Sequence, residues 1–357
     1  MTYSVAVIGT GANPEDPDET GFAMAYQHAD GYQQHDSAEL VACADLVREN
    51  ADAFADNYDI ADQAVYEEYS EMMEATEPDV VSVCVPPAVH AAIVLDIVSA
   101  PGLQAIHCEK PMALTWGDSR LMAQEASRRN VNLTFNHQRR FGKPFRQAKE
   151  LLDAGEIGEL ERLEVSGENL FDYCTHFIDL ANYFNDERLP EWVIGQIDYR
   201  EEVIWFGAHN ENQAIALWEY ENGVTGFAAT GTPGDDPVNG HNTLIGTEGE
   251  IRIGTEETPL KIRRAGQASW EHVDCGNDDI HRPNFVTRAI DDVIEALESG
   301  EESELCARNA LSATEIIFAA WESSRRRGRV DLPLEIEDNP LESMVETGQV
   351  NPEAAEK

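Results

Sequence analysis

Positive charge is scarce in this chain. Across 357 residues, 25 Lys and Arg stand against 68 Asp and Glu, a formal net charge of -43. Only five of the cations are lysines: Lys110, Lys143, Lys149, Lys261 and Lys357. The shortage argues against nucleic acid as a partner, because phosphate contacts need clustered Lys and Arg. The one basic run, Arg325-Arg326-Arg327-Gly328-Arg329, reads as compensation of a helix C-terminus ahead of a glycine stop. Long apolar runs are missing too, and so is a basic-then-apolar leader, so neither a membrane span nor a secretory signal is expected. A strand that starts at Tyr3 leads us to expect little processing. The six cysteines form no Cys-x-x-Cys and no Cys/His zinc spacing. Reduced thiols in a cytoplasm are expected, with no metal. Internal repeats and low-complexity segments are absent.

The acidic residues are spread along the whole chain, not held in one tail. Such self-repulsion opposes a compact state in dilute buffer, and molar salt screens it. The composition therefore reads as that of an enzyme from a salt-loaded, halophilic cytoplasm.

The first 135 residues alternate strand and helix. Tyr3-Ser4-Val5-Ala6-Val7-Ile8 is a short apolar strand that runs into Gly9-Thr10-Gly11. Glycine there permits a tight turn and close backbone approach to a pyrophosphate at a helix N-terminus. The polar stretch from Ala12 to Thr20, with two prolines, reads as an insertion into that motif. Ala25 then stands in for the third small residue. A second strand, Glu39 to Ala44, ends at Asp45, where a carboxylate would hold ribose hydroxyls of NAD. The continuous apolar run Asp79 to Val85 suits the middle of a parallel sheet. Pro86-Pro87 closes it. Gln104 to Cys108 is the next strand and ends at Glu109-Lys110-Pro111. This pattern predicts a doubly wound α/β domain over 1–135.

After residue 136 the texture changes. Long strands follow one another with Asn222-Gly223 and Glu248-Gly249 turns, which predicts a mostly antiparallel sheet. One helix over about 172–184 interrupts the strands, and two more, about 284–298 and 305–327, close a second α/β domain over 136–335. Residues 336–357 read as a loosely packed acidic tail. If the helix begins near Asp172, Asp172 and His176 share one face, one turn apart. A histidine held by a carboxylate is a common general base near neutral pH.

The glycine turn, Glu109-Lys110-Pro111 and Asp172 to His176, in that order, resemble the Gfo/Idh/MocA family of oxidoreductases. Pro86-Pro87-Ala88-Val89-His90, Phe135-Asn136-His137-Gln138-Arg139-Arg140-Phe141 and Gly155-Glu156-Ile157-Gly158 extend the resemblance over about residues 3–335. It implies a Rossmann domain followed by an α/β domain with a large open sheet, often the interface of a homodimer or homotetramer. It also implies hydride transfer between a sugar or cyclitol hydroxyl carbon and NAD, or NADP. His176 would be the general acid/base, with Asp172 orienting it and Lys110 stabilising the alkoxide. Gly9, Gly11, Ala25, Asp45, Pro86, His90, Glu109 and Lys110 would stand near the cofactor. Asn169, Tyr173, His137, Gln138 and Arg140 are candidates for the sugar pocket. Two features depart from the family pattern: the split glycine motif, and Cys174 where many relatives carry glycine. Two other functions stay open. One is a nucleotide-binding regulator without turnover, and the other is a glycoside hydrolase that uses NAD transiently.

Overall fold

The computed structural model describes residues 2–12, 24–231, 238–282 and 284–354. Residues 13–23, which hold most of the expected insertion, lie outside them. The chain divides into two compact units: 1–113, 118–138 and 283–310 form one, and 114–117, 139–282 and 311–357 form the other.

The first unit opens with β1 (Tyr3–Ile8), α1 (Met24–Gln34), β2 (Ala38–Ala44), α2 (Arg48–Asn57), β3 (Val65–Tyr66) and α3 (Tyr69–Thr76). It continues through β4 (Val80–Val83), α4 (Pro87–Ile97), β5 (Ala105–Cys108), α5 (Trp116–Arg129) and β6 (Asn132–Phe135). The six strands are parallel in the order β3-β2-β1-β4-β5-β6. Chain direction across the sheet reverses between β1 and β4, and ligands of such sheets bind at the carboxyl ends beside that point. Central strand β4 is buried along its length, as an apolar run covered on both faces must be.

The second unit begins with α6 (Lys143–Asp153), β7 (Leu160–Gly167), α7 (Thr175–Phe184), β8 (Pro190–Asp198), β9 (Ile204–Trp205) and β10 (Ala208–His209). Then come β11 (Gln213–Tyr220), β12 (Thr225–Thr230), β13 (Asn242–Gly246), β14 (Gly249–Ile253), β15 (Leu260–Arg264) and β16 (Glu271–His272). The chain then passes through α8 (Asn284–Ser299), which returns to the first unit, and ends with α9 (Ala307–Arg326), β17 (Val330–Asp331) and α10 (Pro340–Glu346). Nine strands form one open sheet, β16-β15-β14-β13-β7-β12-β11-β8-β17, antiparallel except where β12 pairs with β7. Helix α9 covers the inner face: a Cβ on Gly195 would come within 2.7 Å of the Ala320 carbonyl. On the outer face Ile194, Ile215 and Leu217 are exposed, with Leu217 opposite Ile194.

Two expectations need correction. Helix α8 belongs to the first unit, where Val286, Ile290 and Ile294 join Tyr3, Val5, Tyr32 and Val80 in one core. It packs so closely on α1 that a Cβ on Gly31 would lie 2.8 Å from Ile290. Over residues 339–346 the expected tail is also not loose. Asn339 caps α10 through its side-chain oxygen, and Leu341 and Met344 are buried. No helix among the described residues is long and apolar enough to cross a membrane.

Candidate functional site

In the first unit, the end of β1 meets the end of β2. The Gly9 amide donates to the Ala44 carbonyl at 2.8 Å. Gly9 has φ +83°, and a Cβ there would stand 2.9 Å from the Cys84 carbonyl, so only glycine fits. Gly11, at φ +64°, has no described residue within 4 Å of where a Cβ would be. The Asp45 carboxylate reaches over the turn and accepts from the Gly11 amide at 2.9 Å and the Thr10 hydroxyl at 3.2 Å. Its other oxygen accepts from the Val47 amide at 2.8 Å. Gly9, Gly11 and Asp45 are thus gathered at one carboxyl edge. A glycine turn after a parallel strand, with a carboxylate at the end of the next strand, fits a dinucleotide pyrophosphate and its ribose. Arg48 turns elsewhere, to Asp52 at 2.8 Å and the Val65 carbonyl at 3.2 Å. Pro86 is exposed at the start of α4, and Ala25 is buried against Val7 and Cys43.

The Glu109-Lys110-Pro111 turn is anchored from beneath. Glu109 faces inward: its Oε1 accepts from Asn136 Nδ2 at 2.7 Å and lies 2.9 Å from His28 Nε2. His28 Nδ1 is 3.0 Å from the Ser82 hydroxyl, which is 3.0 Å from the Tyr32 hydroxyl. Burial alone would raise the Glu109 carboxyl, but hydrogen bonding and charge from His28, with Asn136 and Lys110, hold it down at about 2. Burial, with His28 beside it, pushes the His107 imidazole down to about 3. The Ser82-His28-Glu109 row has the partners of a hydrolytic triad, yet Ser82 and His28 are wholly enclosed, so it is framework. Glu109, expected near the cofactor, spends its carboxylate on His28 and Asn136. Lys110 is half-buried, and its amide donates to Glu109 Oε2 at 3.3 Å. His90 is corrected in the same way: its ring nitrogens lie 2.9 Å from the Pro111 carbonyl and 2.8 Å from the Val85 carbonyl. It ties the loops after β4 and β5 together and does not face a ligand.

In the second unit, β7 ends at Gly167 and a tight turn leads into α7. The Asn169 side-chain oxygen accepts from the Asp172 amide at 2.8 Å and the Tyr173 amide at 3.0 Å. Asn169, expected in the sugar pocket, is therefore a buried cap for this turn. Asp172 stands in the turn and His176 in the first turn of α7, with Cys174 as the N-cap. The helix starts three residues later than the spacing argument assumed, so Asp172 precedes the helical face that carries His176. Asp172 and Tyr173 are half-buried and His176 is buried. Tyr173 lies against Gly167, where a Cβ would be 2.7 Å from its ring. Arg140 is also corrected. Its Nε and Nη2 donate to the two oxygens of Asp179 at 2.6 and 2.7 Å, and Nη1 donates to Glu187 at 2.6 Å. Those carboxylates overcome burial and keep it charged, so it braces α7. His137 and Gln138 are buried in the first unit.

Sequence reasoning missed His28 and Arg139. His28 was findable, because it falls on the face of α1 that buries Ala25, Ala29 and Tyr32. No residue group among those described has a metal-binding arrangement.

Residues 4–137 match the oxidoreductase family with an NAD-binding Rossmann fold, and residues 161–332 match its C-terminal alpha/beta domain. The chain is 26% identical over 215 residues to myo-inositol 2-dehydrogenase of Thermotoga maritima, covering 56% of this chain and 63% of that protein. It is 34% identical over 176 residues to D-glucoside 3-dehydrogenase of Escherichia coli, covering 44% of this chain and 49% of that protein. The chain thus spans about half to somewhat under two thirds of these relatives' length. An NAD binding oxidoreductase from Klebsiella pneumoniae shares the fold with a TM-score of 0.77 at 18% identity, over 94% of this chain and 100% of that one. With both of its family domains matched in order, the chain belongs to the Gfo/Idh/MocA oxidoreductases and carries their NAD-binding Rossmann domain.

Proposed function

We propose that this protein is an NAD-dependent dehydrogenase of a sugar or polyol hydroxyl. The observation that carries the reading is the Asp172 to His176 segment. It sets a half-buried carboxylate four residues before a buried imidazole, at the end of β7, in a chain with an NAD-binding domain. NAD, when bound, supplies the hydride acceptor. The protein's own groups handle the proton. His176 takes it from the substrate hydroxyl, Asp172 orients the imidazole, and the Lys110 ammonium stabilises the developing alkoxide. The turn at Gly9 and Gly11 takes the pyrophosphate. Asp45 binds the ribose and disfavours a 2′-phosphate, and Arg48 is engaged by Asp52, so NAD is preferred over NADP.

The outer face of the second sheet, with Ile194, Ile215 and Leu217 exposed, supports pairing with a second copy of the chain. The charge balance supports a salt-loaded cytoplasm as the working environment. The test is turnover of pentoses, hexoses and cyclitols by the purified protein in high salt, followed at the nicotinamide absorbance band with NAD and with NADP. Nucleotide binding without turnover would favour the regulator. Cleavage of an aryl glycoside without net NADH would favour the hydrolase.

A further inference from the structure

Two adjacent arginines of the second unit have opposite surroundings. Arg140 is enclosed and paired with Asp179 and Glu187. Arg139 is also enclosed, at 5% exposure, yet no carboxylate stands beside its guanidinium among the described residues. Among the described residues its Nε and Nη1 donors find no acceptor. The guanidinium carbon lies 4.5 Å from the centre of the Phe177 ring and 5.3 Å from that of Tyr173. Aromatic faces attract a guanidinium but leave its N–H groups without oxygen partners. The Tyr173 side chain supplies one hydrogen bond, and burial holds the Arg139 pKa below its ordinary value.

A buried cation is normally paired, because an unpaired one carries the full cost of its desolvation. In a chain with 68 acidic residues, a carboxylate is the most abundant partner the sequence has to offer. The fold gives Arg140 two of them and leaves two Arg139 donors open. Tyr173 stands just before α7 and Phe177 follows His176 in its first turn, so an acceptor held by Arg139 lies against the segment that carries the proposed base. A net charge of -43 repels anions from the surface at large, so an anionic substrate needs a local cation to be held. One guanidinium matches a single negative charge, which favours a carboxylate over a phosphate dianion.

We infer that Arg139 is the binding group for a substrate carboxylate, and that the substrate is a sugar acid or a carboxylated polyol. The inference rests on the dehydrogenase reading above and names the substrate class of that same site.

The experiment compares D-glucuronate and D-gluconate with D-glucose, myo-inositol and D-glucose 6-phosphate, using the full chain with NAD at fixed KCl. Both turnover and calorimetric binding are measured for the wild type, Arg139→Gln and Arg139→Lys. The wild type is expected to favour a sugar acid over its neutral counterpart by about 10-fold or more in kcat/KM, the scale of one charge-assisted hydrogen bond. Arg139→Gln should lower kcat/KM for the sugar acids more than for the neutral sugars, mainly through KM, and so collapse that ratio. Arg139→Lys should restore part of it. Equal handling of acids and neutral sugars by the wild type would overturn the inference, as would a preference for the phosphate, or an Arg139→Gln loss equal for all substrates. Calorimetry separates the two readings: sugar-acid binding that needs Arg139 without NADH formation would sink the dehydrogenase and keep the anion site. Should Arg139→Gln fail to fold, Arg139→Lys and the wild-type preference decide the matter.

Discussion

His28 Nε2, on α1, and Glu109 Oε1, just past the end of β5, lie 2.9 Å apart, 81 residues apart in sequence. The pair links α1 to the loop that carries Lys110. Both groups are almost fully enclosed, so removing one leaves the other desolvated and poorly paired. His28→Leu should therefore destabilise the first unit by about 1–3 kcal/mol, the scale of leaving a buried group short of its hydrogen bond. Glu109→Gln keeps the shape and one acceptor and should cost less. The folded pKa of Glu109 is about 2 against an ordinary 4.5, a depressed carboxyl. Its contribution is fully present above about pH 4.5 and is lost as pH falls toward 2. The stability gap between wild type and Glu109→Gln, from denaturant unfolding, should thus be wider at pH 6 than at pH 3. A gap independent of pH would show that the carboxylate is not ionised in the folded chain.

Glu211 has the opposite sign. It is enclosed in the second unit, accepting from the Leu170 amide at 2.6 Å and from Trp321 Nε1 at 3.0 Å. Burial outweighs these hydrogen bonds and pushes its pKa up to about 7 from 4.5. Between those values the folded chain holds a proton that the unfolded chain releases. Stability therefore falls as pH rises through that window, by about 1.4 kcal/mol per unit at most for one proton. Glu211→Gln should remove this slope and raise the melting temperature at pH 8 more than at pH 5. Equal shifts at both pH values would refute a protonated Glu211.

Most of this architecture was legible in the sequence, and the gaps have physical reasons. The strand at Val80–Val83 could be read because covered parallel strands are apolar throughout. Helix α8 was also legible as a helix, but its placement on α1 was not, since Ile290 against Gly31 is a contact between distant segments. The Glu109-Lys110-Pro111 turn was recognisable as a motif. The direction of Glu109 was not, because His28 and Asn136 come from other elements. At Arg139-Arg140 the sequence gives two equivalent side chains, and only the fold decides which one meets Asp179.

The catalytic proposal divides the work between Lys110 and His176. Either alanine variant should lower turnover by about 10²-fold or more, the scale of one general base or alkoxide stabiliser. NAD affinity should change little for His176→Ala, because the role proposed for His176 is the substrate proton and not the nucleotide. Single-turnover rates together with NAD titration check both halves. Near wild-type turnover in either variant would remove that residue from the mechanism.

Salt is the last test. With 68 acidic residues and 25 basic ones, at least 43 carboxylates have no cation of their own. The cations that are present are heavily used: Arg264 meets both Glu156 and Glu271, and Arg325 meets both Glu322 and Asp338. The Arg264 pairs and the Arg325–Asp338 pair are partly exposed and each contribute little, so they do not offset the repulsion among the remaining carboxylates. At about 0.1 M salt the screening length is about 10 Å, comparable to the distance between neighbouring surface groups, and at about 1 M it is about 3 Å. A folded chain has a margin of only about 5–15 kcal/mol against that repulsion. The melting temperature should therefore climb as KCl rises from about 0.2 M to about 2 M, well past the range where ordinary screening is complete. Activity should fall reversibly on dilution. Mild acidification should rescue part of the loss in low salt, because it discharges carboxylates, until paired groups such as Glu109 begin to protonate. A melting temperature that stays flat across that KCl range would remove the salt-adapted reading. It would leave the dehydrogenase proposal standing, since that rests on Lys110, Asp172 and His176 and not on the surface.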